Sequence, residues 1–202
     1  MSSRLILSWS DPAGELRALE PTPAEVVAHA AALAAAYSDP HNAPLMDHAE
    51  PLSAADVIEH YAGLVEEGGR PFLLFVGGEL AGDADLRGIQ PGPDGPTAEF
   101  AIMVAARAAQ GKGLGTRFAL MLHKLGYGAP PLGLGLARIY VGIVPQNTGS
   151  RRLFEKLGYR PDHGSVARGY VDEDDDLSLS LGAAEFARDQ AARVAAVEVA
   201  AR

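Results

Sequence analysis

The chain has no cysteine among its 202 residues. That removes disulfides, thiolate metal sites and cysteine nucleophiles, and it makes a reducing cytoplasm the expected compartment. Long apolar runs are also missing. The longest, residues 30–37, falls far short of the roughly 20 residues that a membrane helix needs, so no membrane partner is expected. The N-terminal apolar run is broken by Ser8, Ser10, Asp11 and Pro12 and lacks a small-residue cleavage pattern, so no signal peptide is expected. Basic charge is scarce: 17 Lys and Arg stand against 26 Asp and Glu, a net charge of −9. A duplex nucleic-acid binder carries a basic face, so nucleic acid is not an expected partner. An acidic surface keeps a protein soluble and also attracts a cationic substrate such as an amine. No Gly-x-Ser-x-Gly elbow occurs, which leaves a Ser-His-Asp hydrolase unsupported. His41, Asp47 and His48 share a loop, but no helical i, i+4 pair and no third ligand accompanies them, so no metal site is expected.

What is present suits one ordinary domain, with 48% apolar and 21% charged residues. Residues 5–9 and 15–19 read as short strands. Thr22 or Pro23 opens an alanine-rich helix to about Tyr37, with Glu25 in its first turn. Ser53 caps a second helix, with Asp56 three residues on, and Gly68 and Gly69 end it. Residues 72–76 and 79–81 form a hairpin about Gly77 and Gly78, followed by a Pro- and Gly-rich loop and a strand over 98–104. A helix runs over 113–125, terminated by Gly126 and Gly128. Then come a strand at 138–144, a helix at 148–157 ended by Gly158, strand material at 166–171, and a last strand at 177–181. The acidic run 172–176 reads as a solvated loop. The domain is expected to span 1–182, with 183–202 an alanine-rich helical tail. On that tail Phe186, Gln190, Val194, Val197 and Ala201 share a face with three open fates: packing on the domain, pairing in a homodimer, or fraying. The order of elements fits a mixed, partly antiparallel sheet with helices on both faces.

The chemistry centres on residues 109–116. Gln110, Gly111, Lys112, Gly113, Leu114, Gly115 and Thr116 lie between a strand end and an amphipathic helix. Glycines permit tight turns and close approach to main-chain N–H groups, and a helix's first turn carries unpaired donors and partial positive charge. Together they cradle a phosphate or diphosphate, with Lys112 adding positive charge. A Walker A loop is excluded, because Ala106 holds its first glycine position and Gly113, not Ser or Thr, follows Lys112. A dinucleotide fingerprint fails at Phe118, which stands where its last glycine belongs.

A second segment, 141–159, runs from strand through loop and helix to turn. With it the chain resembles the GNAT superfamily of N-acetyltransferases. Gln110, Gly113 and Gly115 match the Arg/Gln-x-x-Gly-x-Gly/Ala pattern after that family's fourth strand. Asn147, Leu153, Glu155, Lys156, Gly158 and Tyr159 match its later Asn and Leu-Tyr-Glu-Lys-x-Gly-Phe pattern. The resemblance covers 98–160; before Gly77 it is topological, and it is absent from the tail.

The resemblance implies an α+β fold in α/β/α layers, with a mixed, mostly antiparallel sheet splayed between its fourth and fifth strands. It implies acetyl-CoA as acetyl donor. The pantetheine arm would pair with Ile102, Met103 and Val104, the diphosphate would rest on 110–116, and Asn147, Ser150 and the face of Phe154 would approach the arm. Two departures accompany it. Val104 to Gln110 is one residue longer than usual, and Phe154 stands where the family often carries a Tyr that serves as general acid. The implied activity is acetylation of a primary amine, on a small molecule or a protein, by direct attack in a ternary complex. A main-chain N–H among 102–104 would stabilise the oxyanion. Glu99 is the candidate general base, with Asp85 and Tyr140 behind it. His41, Asn42, Met46 and His48 are candidate acceptor contacts. Two other readings stay open: a CoA-binding module without turnover, and a nucleotide-phosphate-binding protein using the same glycine loop.

Overall fold

A computed structural model describes residues 4–11, 14–46, 50–105, 113–171 and 175–202. Its helices begin where the sequence supplies caps. Thr22 and Glu25 form a reciprocal capping box at the start of α1 (Pro23–Tyr37), and Ser53 and Asp56 do the same for α2 (Ala54–Glu66). Between them Ala43–Leu45 makes one 3-10 turn. α3 (Leu114–Tyr127) and α4 (Thr148–Leu157) follow, and left-handed Gly158 ends α4.

The strands are β1 (Leu5–Asp11), β2 (Gly14–Leu19), β3 (Arg70–Val76), β4 (Glu79–Gly92), β5 (Gly95–Val104), β6 (Arg138–Ile143), β7 (Arg160–Pro161), β8 (Leu177–Gly182) and β9 (Glu198–Ala201). They form one sheet in the order β7-β8-β6-β5-β4-β3-β2-β1-β9. Every neighbouring pair is antiparallel except β5 and β6, which are parallel. α1 and α2 cover one face through Val26, Leu33, Val57, Tyr61, Leu73 and Met103. Leu120, Phe118 and Leu122 of α3, Phe154 of α4 and Phe186 of α6 (Ala183–Val194) pack with Phe72, Phe100 and Ile139 in the larger core on the other. The architecture is the α+β, helix–sheet–helix arrangement expected from the sequence.

Three elements differ from the sequence reading. Residues 82–97 are not a loop: β4 runs to Gly92 and pairs with β5 through Gly92↔Gly95. Gly88, Pro91, Gly92 and Pro96 look like loop chemistry, but the ladder absorbs them with an irregularity between Arg87 and Gln90. Residues 166–171 are not strand material. A short helix, α5 (Ser165–Arg168), forms there between Gly164 and Gly169. The 183–202 stretch is helical only as far as Val194. Lys124 Nζ donates to the carbonyls of Val194 (2.9 Å) and Val197 (2.6 Å), capping the helix end. The chain then turns into β9, which pairs with β1. Phe186, Gln190 and Val194 are buried within the chain's own domain, so that helix face packs on the domain.

Gly126, expected to end α3, lies inside it. A Cβ there would meet Ile139 Cδ1 at 2.9 Å, so glycine lets the helix lie on the sheet without moving that side-chain end.

Candidate active site

β5 and β6 pair only at Thr97↔Arg138, Ala98↔Ile139 and Glu99↔Tyr140. Beyond that point β5 stays on β4 and β6 stays on β8, so the two strands part. The splay expected between the family's fourth and fifth strands therefore falls between the fifth and sixth strands of this chain, because both β1 and β2 precede them. Ala105 N–H donates to Ala81 O (2.8 Å), which turns that residue's main chain toward β4. Two-residue alternation then turns Met103 toward β4 as well, and aims the N–H and C=O of Ile102 and Val104 into the cleft. Of the three residues expected to meet the pantetheine arm, Met103 offers its surface but not its main-chain donor. Its side chain packs under α1 and α2.

Two chambers fill the cleft. The larger, about 700 Å³, is lined by Ile102, Val104, Leu114, Thr116, Arg152 and Lys156 among others. At its end stands the first turn of α3, whose N-cap is Gly113 at φ +76° with no side-chain cap and no acidic residue in the turn. The cap residue thus brings no side-chain acceptor to that turn's main-chain donors, and the helix dipole adds positive character. Arg152 and Lys156 bring cationic side chains to the same space. An uncapped glycine N-terminus, cations and strand groups aimed across an opened sheet fit a ligand that carries a diphosphate and an amide-bearing arm. Gly115 lines this chamber too, and a Cβ there would meet Leu153 Cδ1 at 2.8 Å, so its smallness also lets α3 approach α4. Gln110, Gly111 and Lys112, with Asp47 and His48, lie outside the described residues.

The smaller chamber, about 470 Å³, holds Tyr37, Asp56, Arg87, Glu99, Phe154 and Tyr170 in its walls, with Asp176 at its edge. Leu45, Met46, Ile102, Asn147 and Ser150 line both chambers, so the two spaces meet. Asn147 caps α4, its Oδ1 accepting from Ser150 N–H (3.0 Å), while its Nδ2 donates to Leu45 O (3.0 Å). It thereby ties the β6–α4 loop to the 3-10 turn. Asn42 fixes the same stretch to α1 and to the residue after β5, donating to Ala36 O (2.9 Å) and Ala105 O (3.4 Å). Both amides are therefore engaged in structure. His41, Asn42 and Met46 line the larger chamber, and Met46 alone of the three also reaches the smaller one.

Glu99 sits opposite Arg87 in the β4–β5 ladder and lines the smaller chamber. Glu99 is engaged too, its charge acting on Arg87, and the alternatives have partners of their own. Asp85 takes both Arg87 nitrogens at 2.6 Å, and Tyr140 stacks on Tyr170 with ring centres 5.0 Å apart. Burial pushes the Tyr140 phenol up, away from the range of a base. Phe154 is 3% exposed, edge-on to Phe100 and Tyr159, and packs as a core residue that touches the chamber.

The sequence reading missed the groups behind this wall. Asp83 of β4 is buried and accepts from Tyr37 Oη (3.0 Å to each carboxylate oxygen) and Tyr61 Oη (2.9 Å). Desolvation pushes its carboxyl up to about 7. The signal was present: Asp83, Asp85 and Arg87 alternate with Gly82, Ala84 and Leu86, a strand with one polar face. Among the described residues no three His, Asp or Glu side chains gather as a metal site.

The model of the acetyltransferase (GNAT) domain family matches residues 16–160. The chain belongs to the GNAT acetyltransferase family. The donor of that family is acetyl-CoA, and the reaction class is acetyl transfer. No curated protein matches the chain in sequence. Solved structures share the fold. Mycobacterium smegmatis RimJ in complex with CoA-disulfide superposes with a TM-score of 0.70 at 22% identity, covering 96% of each chain. The aminoglycoside acetyltransferase AAC(6')-Ib in complex with coenzyme A and kanamycin gives 0.67 at 21% identity, over 87% of this chain and 98% of that one. The same enzyme with acetyl-CoA gives 0.67 at 21%, over 87% and 96%. Among the described residues no helix is long and apolar enough to cross a membrane.

Proposed function

We propose that this GNAT acetyltransferase moves the acetyl group of acetyl-CoA to a primary amine, on a small molecule or a protein, by direct attack in a ternary complex. The observation that carries this reading is the meeting of two unlike chambers at Ile102, Asn147 and Ser150. One offers main-chain donors and cations; the other offers carboxylates. Bound acetyl-CoA supplies an acyl group already activated as a thioester. The first turn of α3, from Gly113 through Leu114 and Gly115 to Thr116, holds its diphosphate, together with Gln110, Gly111 and Lys112. Ile102 and Val104 bind the arm through main-chain groups, Met103 flanks it, and Asn147, Ser150 and Phe154 border its reactive end.

The acceptor enters the smaller chamber, where Asp56, Glu99 and Asp176 favour a cation. The kanamycin complex of AAC(6')-Ib supports a small amine-bearing acceptor. Glu99 takes a proton from the nitrogen as the new bond forms. An N–H of β5 aimed across the cleft, from Ile102 or Val104, steadies the oxyanion. The cysteine-free sequence suits a cytoplasmic enzyme.

Release of free thiol from acetyl-CoA, measured against a panel of primary amines, tests the reading. At least one amine should raise thiol release above hydrolysis, and Glu99→Gln should lower kcat/KM for it by about 100-fold or more. Stabilisation by acetyl-CoA with no thiol release from any amine would leave only a binding module. Stabilisation by ATP alone would refute the cofactor assignment.

A further inference from the structure

An ammonium acceptor carries three N–H bonds and its acetylated product one. Two protons therefore leave the nitrogen: one ends on the released thiol and one must go elsewhere. Glu99 serves the proton lost as the carbon–nitrogen bond forms. The other must leave earlier, because a protonated amine has no lone pair with which to attack.

The wall of the acceptor chamber offers a second exit. Tyr37, at the end of α1, lines the chamber, and its phenol is bonded to Asp83 behind it. Asp83 and Tyr61 do not line the chamber, so Tyr37 is the member of this trio that meets an acceptor. The groups facing Asp83 come from four elements: Tyr37 from α1, Tyr61 from α2, apolar Leu73 from β3 and apolar Met103 from β5. Along its own strand lie Asp85 and Arg87, which bind each other. Burial makes the charged form of Asp83 costly despite its two phenol donors and the weaker pull of Arg87, so the group readily takes a proton.

We propose that Tyr37 and Asp83 form a proton port that strips the acceptor's ammonium before attack. In one step an N–H proton moves from the ammonium to Tyr37 Oη while the Tyr37 O–H proton moves to an Asp83 carboxylate oxygen. The products are a neutral amine, an intact phenol and a protonated Asp83. After the product leaves, the same path runs backward and returns the proton to water in the chamber. Tyr61 holds Asp83 in place as a positioning residue. Burial suits Asp83 to this work, because a carboxyl near 7 binds a proton about 1000-fold more tightly than one at its ordinary value.

This proposal rests on the amine-acetyltransferase reading, and its test separates the two. The 13C signal of the Asp83 carboxyl is followed from pH 5 to 9 in the folded chain without acetyl-CoA. It should titrate near neutrality, and Tyr37→Phe should move the midpoint upward, since a phenol donating to the carboxylate favours its charged form. In thiol-release assays with a reactive amine, the wild type and Glu99→Gln should both show the limb set by Asp83. Asp83→Asn and Tyr37→Phe should lose it and drop at least tenfold in kcat/KM, with circular dichroism confirming that both remain folded. An Asp83 that stays ionised from pH 5 to 9 would overturn the port, as would wild-type pH profiles in both variants. A wild type that releases no thiol with any amine sinks the transferase reading instead, whatever the carboxyl titration shows.

Discussion

Replacing Asp83 by Asn should reverse its effect on stability between pH 5 and pH 8. The folded chain holds the Asp83 proton up to about 7, against an ordinary value of 3.8. Between those values the folded state binds more protons than the unfolded one, so stability falls as pH rises, and it levels off above about 7. The shift of about 3 units corresponds to about 4 kcal/mol, of which about 3 kcal/mol falls between pH 5 and 8. Asparagine cannot titrate and removes that slope. It also accepts with one oxygen where the carboxylate used two, which costs about 1 kcal/mol for the phenol left over. Asp83→Asn should therefore be level with or slightly below wild type at pH 5 and about 2 kcal/mol more stable at pH 8. Urea unfolding at the two pH values measures this. Another buried group that titrates on the acid side is His123, pushed down to about 4 by desolvation. It loses stability as pH falls from 6.5 toward 4, and it is common to both proteins, so it cancels in the difference. An Asp83→Asn destabilisation of equal size and sign at both pH values would refute the reasoning, because Asp83 would then be an ordinary ionised hydrogen-bond acceptor.

Three further outcomes can be checked. Gly113→Glu puts a bulky anion at the uncapped start of α3 and into a φ of +76°; the thermal shift given by acetyl-CoA should vanish, and an unchanged shift would remove α3 as the diphosphate site. Gly82→Ala sets a Cβ 2.0 Å from Met103 O at a φ of +149°, so the β4–β5 ladder must give way, and a cost of roughly 3 kcal/mol should lower the melting temperature by about 6–12 °C. Asn147→Ala loses both the α4 cap and the tie to Leu45, at about 2 kcal/mol together, whereas Asn147→Asp keeps the cap and should recover about half; equal losses in the two variants would show that the cap contributes nothing.

Local chemistry was readable from the sequence; pairings across distance were not. Thr22 with Glu25, Ser53 with Asp56, and Gly158 mark helix boundaries in the sequence because each signal lies within one turn of the boundary it sets. The glycine segment could be anticipated because it belongs to a contiguous strand–loop–helix unit, whereas the parted strands were expected only from the resemblance to the GNAT family. β9 was not legible. Its alanines favour helix, and only pairing with β1, almost the whole chain away, makes Glu198–Ala201 a strand. β4 was misread because a run of Gly and Pro with inward carboxylates looks like solvent-exposed loop until β3 and β5 flank it. The alternation that places Asp83 on a polar strand face was readable, but its partners Tyr37 and Tyr61 were not, because they lie 46 and 22 residues away.

The division of chemistry across the cleft follows from strand geometry. Along β5 the main chain alternates between β4 and the cleft, while side chains alternate between the two helical layers. Phe100 and Ile102 face the α3 layer; Glu99, Ala101 and Met103 share the α1–α2 side with Asp83, Asp85 and Arg87 of β4. Parting β5 from β6 therefore opens main-chain groups along one edge and brings a polar strand face beside it. A cofactor with amides can pair with that edge, and a cationic acceptor can approach the carboxylates. Phe154 comes from the other layer, where Phe100 and Tyr159 hold it in the core. Phe154 itself brings no hydroxyl to the chamber, and in the proposed mechanism the protons are carried by Glu99 and Tyr37, which also line it.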